Sequence, residues 1–163
     1  MKGDNPETSQ PTAYMQRTKD FYAAQGFERA YVWAHHETTP FAPLAKPLKN
    51  CRLGIVTTAA LHDRKATDTR STACTPIEPA PERLWGNDLA WDKTVTHMDD
   101  LGSFFPLDAL KRMVTSGTLG SLTKRFCCVP TDYSQRRTTE VDAPQILKWL
   151  REDGADIALL VPL

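Results

Sequence analysis

Gly154-Ala-Asp-Ile-Ala-Leu-Leu-Val-Pro-Leu163 decides how this chain is read. An apolar run that follows a helical pattern and a glycine reads as a buried parallel strand, because parallel strands covered on both faces carry near-continuous apolar sequence. The preceding stretch, Asp142-Ala-Pro-Gln-Ile-Leu-Lys-Trp-Leu-Arg-Glu-Asp-Gly154, has the marks of a helix. Asp142 is the expected N-cap, Pro144 fits the first turn, Ile146, Leu147 and Leu150 are expected to face inward, and Gly154 is the stop. Helix, glycine and strand are the second half of a β-α-β crossover, which in a parallel sheet is right-handed almost without exception.

Upstream, Arg52-Leu-Gly-Ile-Val-Thr-Thr58 is the first clear buried strand, an apolar, β-branched run ending in two hydroxyls. Pro106 to Ser116 is expected to be a helix with Leu107, Leu110 and Val114 on one face and Gly117 as its stop, and Lys124 to Val129 a short strand. Thr12 to Gln25 has helical spacing, with Gly26 placed for the left-handed C-cap. The expected fold is therefore α/β, a mainly parallel sheet with helices on both faces in Rossmann-like or flavodoxin-like layering. One domain is expected over residues 12–163, after a disordered tail over 1–11.

The segments between are less regular. Phe27 to Pro47 carries three prolines and reads as an extended arm, and residues 61–83, rich in Thr, Asp, Arg and Pro, as a long surface loop. Gln135-Arg-Arg-Thr is locally basic and reads as a solvated loop, the alternative being an anion site.

Composition excludes several function classes. Twenty basic and twenty acidic side chains give zero formal net charge, so no field draws in nucleic acid or an anionic membrane. No window of 18 apolar residues exists and the amino terminus lacks a signal-peptide core, so a cytoplasmic location is expected. In that setting Cys51, Cys74, Cys127 and Cys128 are expected to be thiols. The strand at 52–58 is followed by neither G-x-G-x-x-G nor a phosphate loop, so nucleotide binding has no support. His35-His36 are adjacent and point in different directions, with no third ligand at a standard spacing, so no metal site is expected.

Two groups of candidates remain. Thr57 and Thr58 stand at the carboxyl end of a parallel strand, where such sheets bind ligands, and are the substrate-binding candidates. His97 with Asp99 and Asp100 is the constellation suited to proton transfer, since a carboxylate beside an imidazole fixes its tautomer and raises its basicity. The competing assignment has Asp99 or Asp100 capping the next helical segment with His97 packed at its edge.

Four stretches in order carry a resemblance: the helix around Tyr14 to Tyr22, YVWAHHETTPFAPLAKPLKNCRLGIVTTAAL (31–61), PERLWGNDLAWDKTVTHMDDLGSFFPLDALKRMVTSGTLGSL (81–122) and VPTDYSQRRTTEVDAPQILKWLREDGADIALLVPL (129–163). Together they resemble the selenoprotein B family of glycine, sarcosine, betaine and D-proline reductases, closest to its shorter D-proline-reductase-like members. The resemblance implies a thiol- or selenol-dependent reductase subunit that cleaves a carbon–nitrogen bond in an amino acid or related substrate. It implies a partner reductase subunit, a thioredoxin-like or other dithiol electron donor, and an oligomer. Nothing here resembles a self-processing pyruvoyl site, so any pyruvoyl group belongs to a partner. In the family the strand matching Asp156 to Pro162 is followed at once by a cysteine or selenocysteine, a position where a low-pKa thiolate or selenolate is useful. This chain ends at Leu163, one residue earlier, and the expectation is a UGA selenocysteine codon read as stop, or a fragment, with the C-terminal part of the sheet missing. The alternative function is a non-catalytic binding or assembly module on the same scaffold.

Overall fold

Strand β1, Arg52–Thr57, is paired along both of its edges. The computed structural model describes residues 13–29, 32–65, 68–86, 97–132 and 134–163. Two compact units divide the chain, residues 1–40 and 41–163. In the first, helix α1, Tyr14–Ala24, ends at Gly26 with φ +83°, as the sequence predicts. Within that unit Tyr22 packs edge-to-face with Phe27, and the Lys19 ammonium lies 5.9 Å from the centre of the Trp33 ring.

The second unit contains β1, β2 (Ala73–Pro76), α2 (Leu107–Thr115), β3 (Ser121–Leu122), β4 (Arg125–Cys128), α3 (Gln135–Arg137), α4 (Ala143–Glu152) and β5 (Ile157–Val161). It is an α/β fold with a mostly parallel, five-stranded mixed sheet. On one edge β1 pairs in parallel with β5 from Leu53↔Ile157 to Thr57↔Val161. On the other it pairs in parallel with β3 at Arg52↔Ser121 and with β4 at Thr57↔Cys128, so β3 and β4 share that flank end to end. Strand β2 then pairs antiparallel with β4.

Alternation along β1 sends its side chains to two cores. Leu53 and Ile55 join Phe126, Leu107 and Leu110, which places α2 on one face. Val56 joins Cys127, Ile146 and Leu150, which places α4 on the other. Right-handed crossovers require this arrangement: the path from β1 to β3 moves one way across the sheet, and the path from β4 to β5 moves back past β1. Helix α4 is held to the sheet by its apolar face. Burial of Ile146 and Leu150, about 1.5–3 kcal/mol each, is what docks it. Gly54 permits the close approach, since a Cβ there would lie 2.3 Å from Leu150 Cδ2.

Five expectations are corrected. The 61–83 stretch is not all loop, because it contains β2. The strand is hard to see because Pro76 interrupts its pattern. Ile77 N–H donates to the Lys124 carbonyl, which makes Pro76↔Arg125 a non-hydrogen-bonded pair, and there the missing N–H faces outward on an edge strand. Gln135-Arg-Arg is the helical turn α3, capped by the Ser134 hydroxyl, which accepts from Arg137 N–H at 3.2 Å. The chain stays helical from there through a π turn at Thr138–Asp142, so Asp142 is inside the helical run and caps nothing. The wide turn accommodates Pro144, which has no N–H for the carbonyl four residues back. Leu147 is largely exposed where Ile146 and Leu150 are buried. Finally, β5 is parallel as expected but lies at an edge among the described residues, and alternate side chains are exposed, Leu160 to 68%. No described helix is long and apolar enough to cross a membrane.

Two contacts fix the amino-terminal end of the sheet. Gly120 runs so close to the chain before β1 that a Cβ would lie 2.7 Å from the Cys51 carbonyl oxygen. Backbone cannot swing aside as a side chain does, so Gly120→Ala is expected to cost at least about 1–3 kcal/mol in chemical denaturation. At the start of β5, Asp156 accepts from Arg52 N–H at 2.7 Å and pairs with Lys46 at 2.8 Å. The Lys46 ammonium first, and the Arg52 amide second, hold its carboxyl below the usual carboxylate range. A depressed folded-state pKa means that this stabilisation is in place above the ordinary value and is lost as pH falls through the lower one. In Asp156→Asn the loss of stability with acidification below about pH 4 should be shallower than in the parent, measured by denaturant midpoints across pH.

Candidate functional site

The carboxyl ends of β1, β4 and β5 point to the same edge of the sheet. The connection leaving β1 runs over the α2 face and the one entering β5 comes from the α4 face, so the strand order reverses between β1 and β5. That junction is where open α/β sheets bind ligands.

A cavity of about 500 Å³ opens there, on the α4 side. Val56, Thr57 and Thr58 line it from β1, Val129 from the end of β4, and Leu160, Val161 and Pro162 from β5. Ala143, Ile146, Leu147 and Leu150 form its helical wall, with Thr138 and Asp142 from the π turn. Leu147 and Leu160, two of the exposed large apolar side chains, are both part of this lining. The walls are mainly aliphatic, with few polar groups at one end, the usual make-up of a small-molecule pocket.

Both sequence-predicted threonines are in this lining. Thr57 is buried, at 1% exposure, and its Oγ1 accepts from Ala59 N–H at 3.3 Å. Thr58 Oγ1 accepts from Leu163 N–H at 2.7 Å, and Thr58 N–H donates to the Val161 carbonyl at 3.3 Å. The residues just after β5 are therefore tied to those just after β1. Each threonine hydroxyl is an acceptor in its bond and keeps its own proton to donate.

His97, Asp99 and Asp100 are not in the lining of this cavity. His97 Nδ1 is 3.6 Å from Asp99 Oδ2 and 3.3 Å from the Asp99 N–H that donates to it. The His97 and Asp99 side chains are 67% and 77% exposed, and a pair so solvated is worth about 0–1 kcal/mol. Asp100 stands before the 3-10 turn Leu101–Ser103 without a side-chain cap, and its backbone carbonyl accepts from Ser103 N–H. Residues 87–96 of the aromatic and ionisable cluster lie outside the described residues.

Sequence reasoning passed over the pair that holds the cavity's polar end. Arg70 reaches from the segment before β2 to Asp142 in a two-pronged contact, Nη1 to Oδ1 at 3.1 Å and Nη2 to Oδ2 at 2.8 Å. Its Nε donates to the Pro130 carbonyl at 2.6 Å and is 3.8 Å from Asp132, which also meets Arg137 at 3.4 Å. Arg70 and Asp142 side chains are 11% and 5% exposed. No spacing signal announces this contact, and an aspartate before Ala-Pro imitates an N-cap. Among the described residues no group of three or more His, Cys, Asp or Glu side chains is placed to hold a metal ion.

No protein-family model matches this chain, and no curated protein or solved structure matches it at a significant level.

A buried ion pair broken on one side leaves an uncompensated charge. Arg70→Met is expected to lose about 3–5 kcal/mol of stability, while the double variant Arg70→Met/Asp142→Leu recovers most of it. Equilibrium unfolding of the three proteins checks this, and equal losses in both variants would contradict it.

Proposed function

We propose that this chain is part of a thiol- or selenol-dependent reductase of the glycine and D-proline reductase type, on a doubly wound, flavodoxin-like scaffold. Its reaction is reductive cleavage of the carbon–nitrogen bond of an amino acid or related small substrate, in a reducing, cytoplasmic setting. The nucleophile of this reading is a cysteine or selenocysteine directly after Leu163. It forms a carbon–sulfur or carbon–selenium bond as the carbon–nitrogen bond breaks, and the amine leaves with a proton. A thioredoxin-like dithiol then supplies the two electrons that release the reduced product and becomes a disulfide. Any pyruvoyl group belongs to a partner subunit. Thr57 and Thr58 are assigned to substrate binding, and His97 with Asp99 and Asp100 to proton handling.

The observation that carries this reading is the bond from Leu163 N–H to Thr58 Oγ1. It holds the residue at 163 at the junction between β1 and β5, beside an aliphatic cavity whose lining includes Thr57 and Thr58. A residue attached to Leu163 starts from that junction. Low-pKa thiolates and selenolates react by contact, so placement of this kind is what the chemistry needs.

The test begins with the gene. The expected codon after Leu163 is UGA or a cysteine codon, followed in frame by a Cys- and His-containing extension; any other continuation overturns the proposal. The extended protein, with its partner subunit and dithiothreitol as donor, should release ammonia or an amine from glycine, sarcosine or betaine, or open the ring of D-proline to a linear primary amine, and the Ser variant at the nucleophile should not. Thr58→Val, which removes a hydrogen bond worth about 1 kcal/mol, should lower turnover roughly fivefold. Unchanged turnover in His97→Ala would remove His97 from the mechanism.

A further inference from the structure

The geometry points to a redox site of its own at the β2–β4 ladder: Cys74 and Cys127 form a thiol pair that closes to an intramolecular cross-strand disulfide in the presence of a low-molecular-weight disulfide. Neither cysteine lines the cavity, and the pair does not depend on the reductase reading.

Cys74 and Cys127 are directly opposite each other in the antiparallel register. With Ile77 N–H donating to the Lys124 carbonyl, opposite positions alternate, and 74↔127 falls on a non-hydrogen-bonded pair. Such pairs bring Cα atoms to about 4.5 Å, inside the range that a disulfide spans of about 4.4–6.8 Å. The two sulfurs are already 3.6 Å apart, with the Cys127 S–H donating to Cys74. Side-chain rotation, without backbone movement, covers the rest.

The other two thiols are placed out of reach of this pairing. Cys128 is next in the strand, so its side chain lies on the opposite face, in the α2 core, while Cys127 lies in the α4 core with Cys74 packed against it. Cys51 sits before β1, its sulfur 3.5 Å from the Lys46 and Pro47 carbonyls.

The pair is also asymmetric. Cys127 is buried at 1% exposure, and Cys74 is partly open to solvent. Burial raises both thiols above their ordinary range, but at Cys74 the S–H of Cys127 and the Arg125 guanidinium pull back toward the thiolate. Cys74 is therefore the attacking group. Its thiolate displaces one thiolate from the small disulfide, forming a mixed disulfide. Cys127, giving up its proton, then attacks the Cys74 sulfur and expels the second thiolate. Two protein thiols are oxidised by two electrons and one small disulfide becomes two thiols. The product staples the edge strand β2 to β4.

The test uses the whole chain with excess oxidised glutathione, followed by thiol titration in denaturant and peptide mapping. The expected result is a fall from four free thiols to two, a mass loss of two hydrogens, and a link between the peptides carrying Cys74 and Cys127. Backbone fragmentation between positions 127 and 128 in the unsubstituted chain assigns the bridge without relying on a variant that must fold. Cys128→Ala should keep the link, and Cys127→Ala should stop at glutathione on Cys74. Retention of all four thiols, a bridge through Cys51 or Cys128, or a link between two copies would overturn the inference.

Discussion

Strand β1 saturates its backbone on both edges, and the second unit is built outward from that constraint. A buried strand must place every N–H and C=O, because each unpaired group costs about 1–3 kcal/mol. β5 takes one edge of β1 over five residues, while β3 and β4 divide the other between them. The break between β3 and β4 is bridged by Thr123, whose N–H donates to the Leu53 carbonyl at 2.9 Å and whose hydroxyl donates to the Arg125 carbonyl at 2.7 Å. With both edges of β1 occupied, its two faces are left for α2 and α4, and side-chain alternation assigns one to each.

What the amino-acid pattern shows beforehand follows from range. The glycines at 26, 117 and 154 take positive φ, and each closes the helix that precedes it, because a helix stop is decided within a few residues. β1 and α2 are found within a residue or two of their expected bounds for the same reason. β2 escapes because it exists through its partner: four residues ending in proline have little strand tendency of their own, and only the register with β4 shows that Pro76 costs no hydrogen bond. Asp142 is misread because a cap and a buried ion-pair partner look alike in sequence until Arg70, 72 positions away, is placed beside it. β5 is read as buried from its composition, yet an edge strand with one covered face can carry the same apolar residues.

The same division by range separates the candidate residues. Thr57 and Thr58 are placed by strand logic alone, since the carboxyl ends of parallel strands gather at one edge whatever the surrounding loops do. His97 and Asp99 are neighbours in sequence and neighbours in space, but sequence proximity carries no information about a wall to desolvate them. A carboxylate strengthens an imidazole in proportion to how little water competes for both, and these two side chains are mostly in water.

Nucleophilic attack and disulfide exchange both begin with a thiolate, but exchange also needs a second thiol within reach. A nucleophile must be held as a thiolate, which needs donors, positive charge and access; the junction between β1 and β5 opens onto a cavity lined in part by Thr57 and Thr58. Cys128 has none of these. Burial in the α2 core pushes its thiol up to about 12, so it stays protonated and serves as packing. Cys127 is buried as Cys128 is, but it faces Cys74, so this pair has one sulfur open and one closed. An open sulfur alone would collect adducts and a closed pair alone would never start, so one of each, held on opposite strands, is the arrangement that lets exchange begin at the surface and finish inside the sheet.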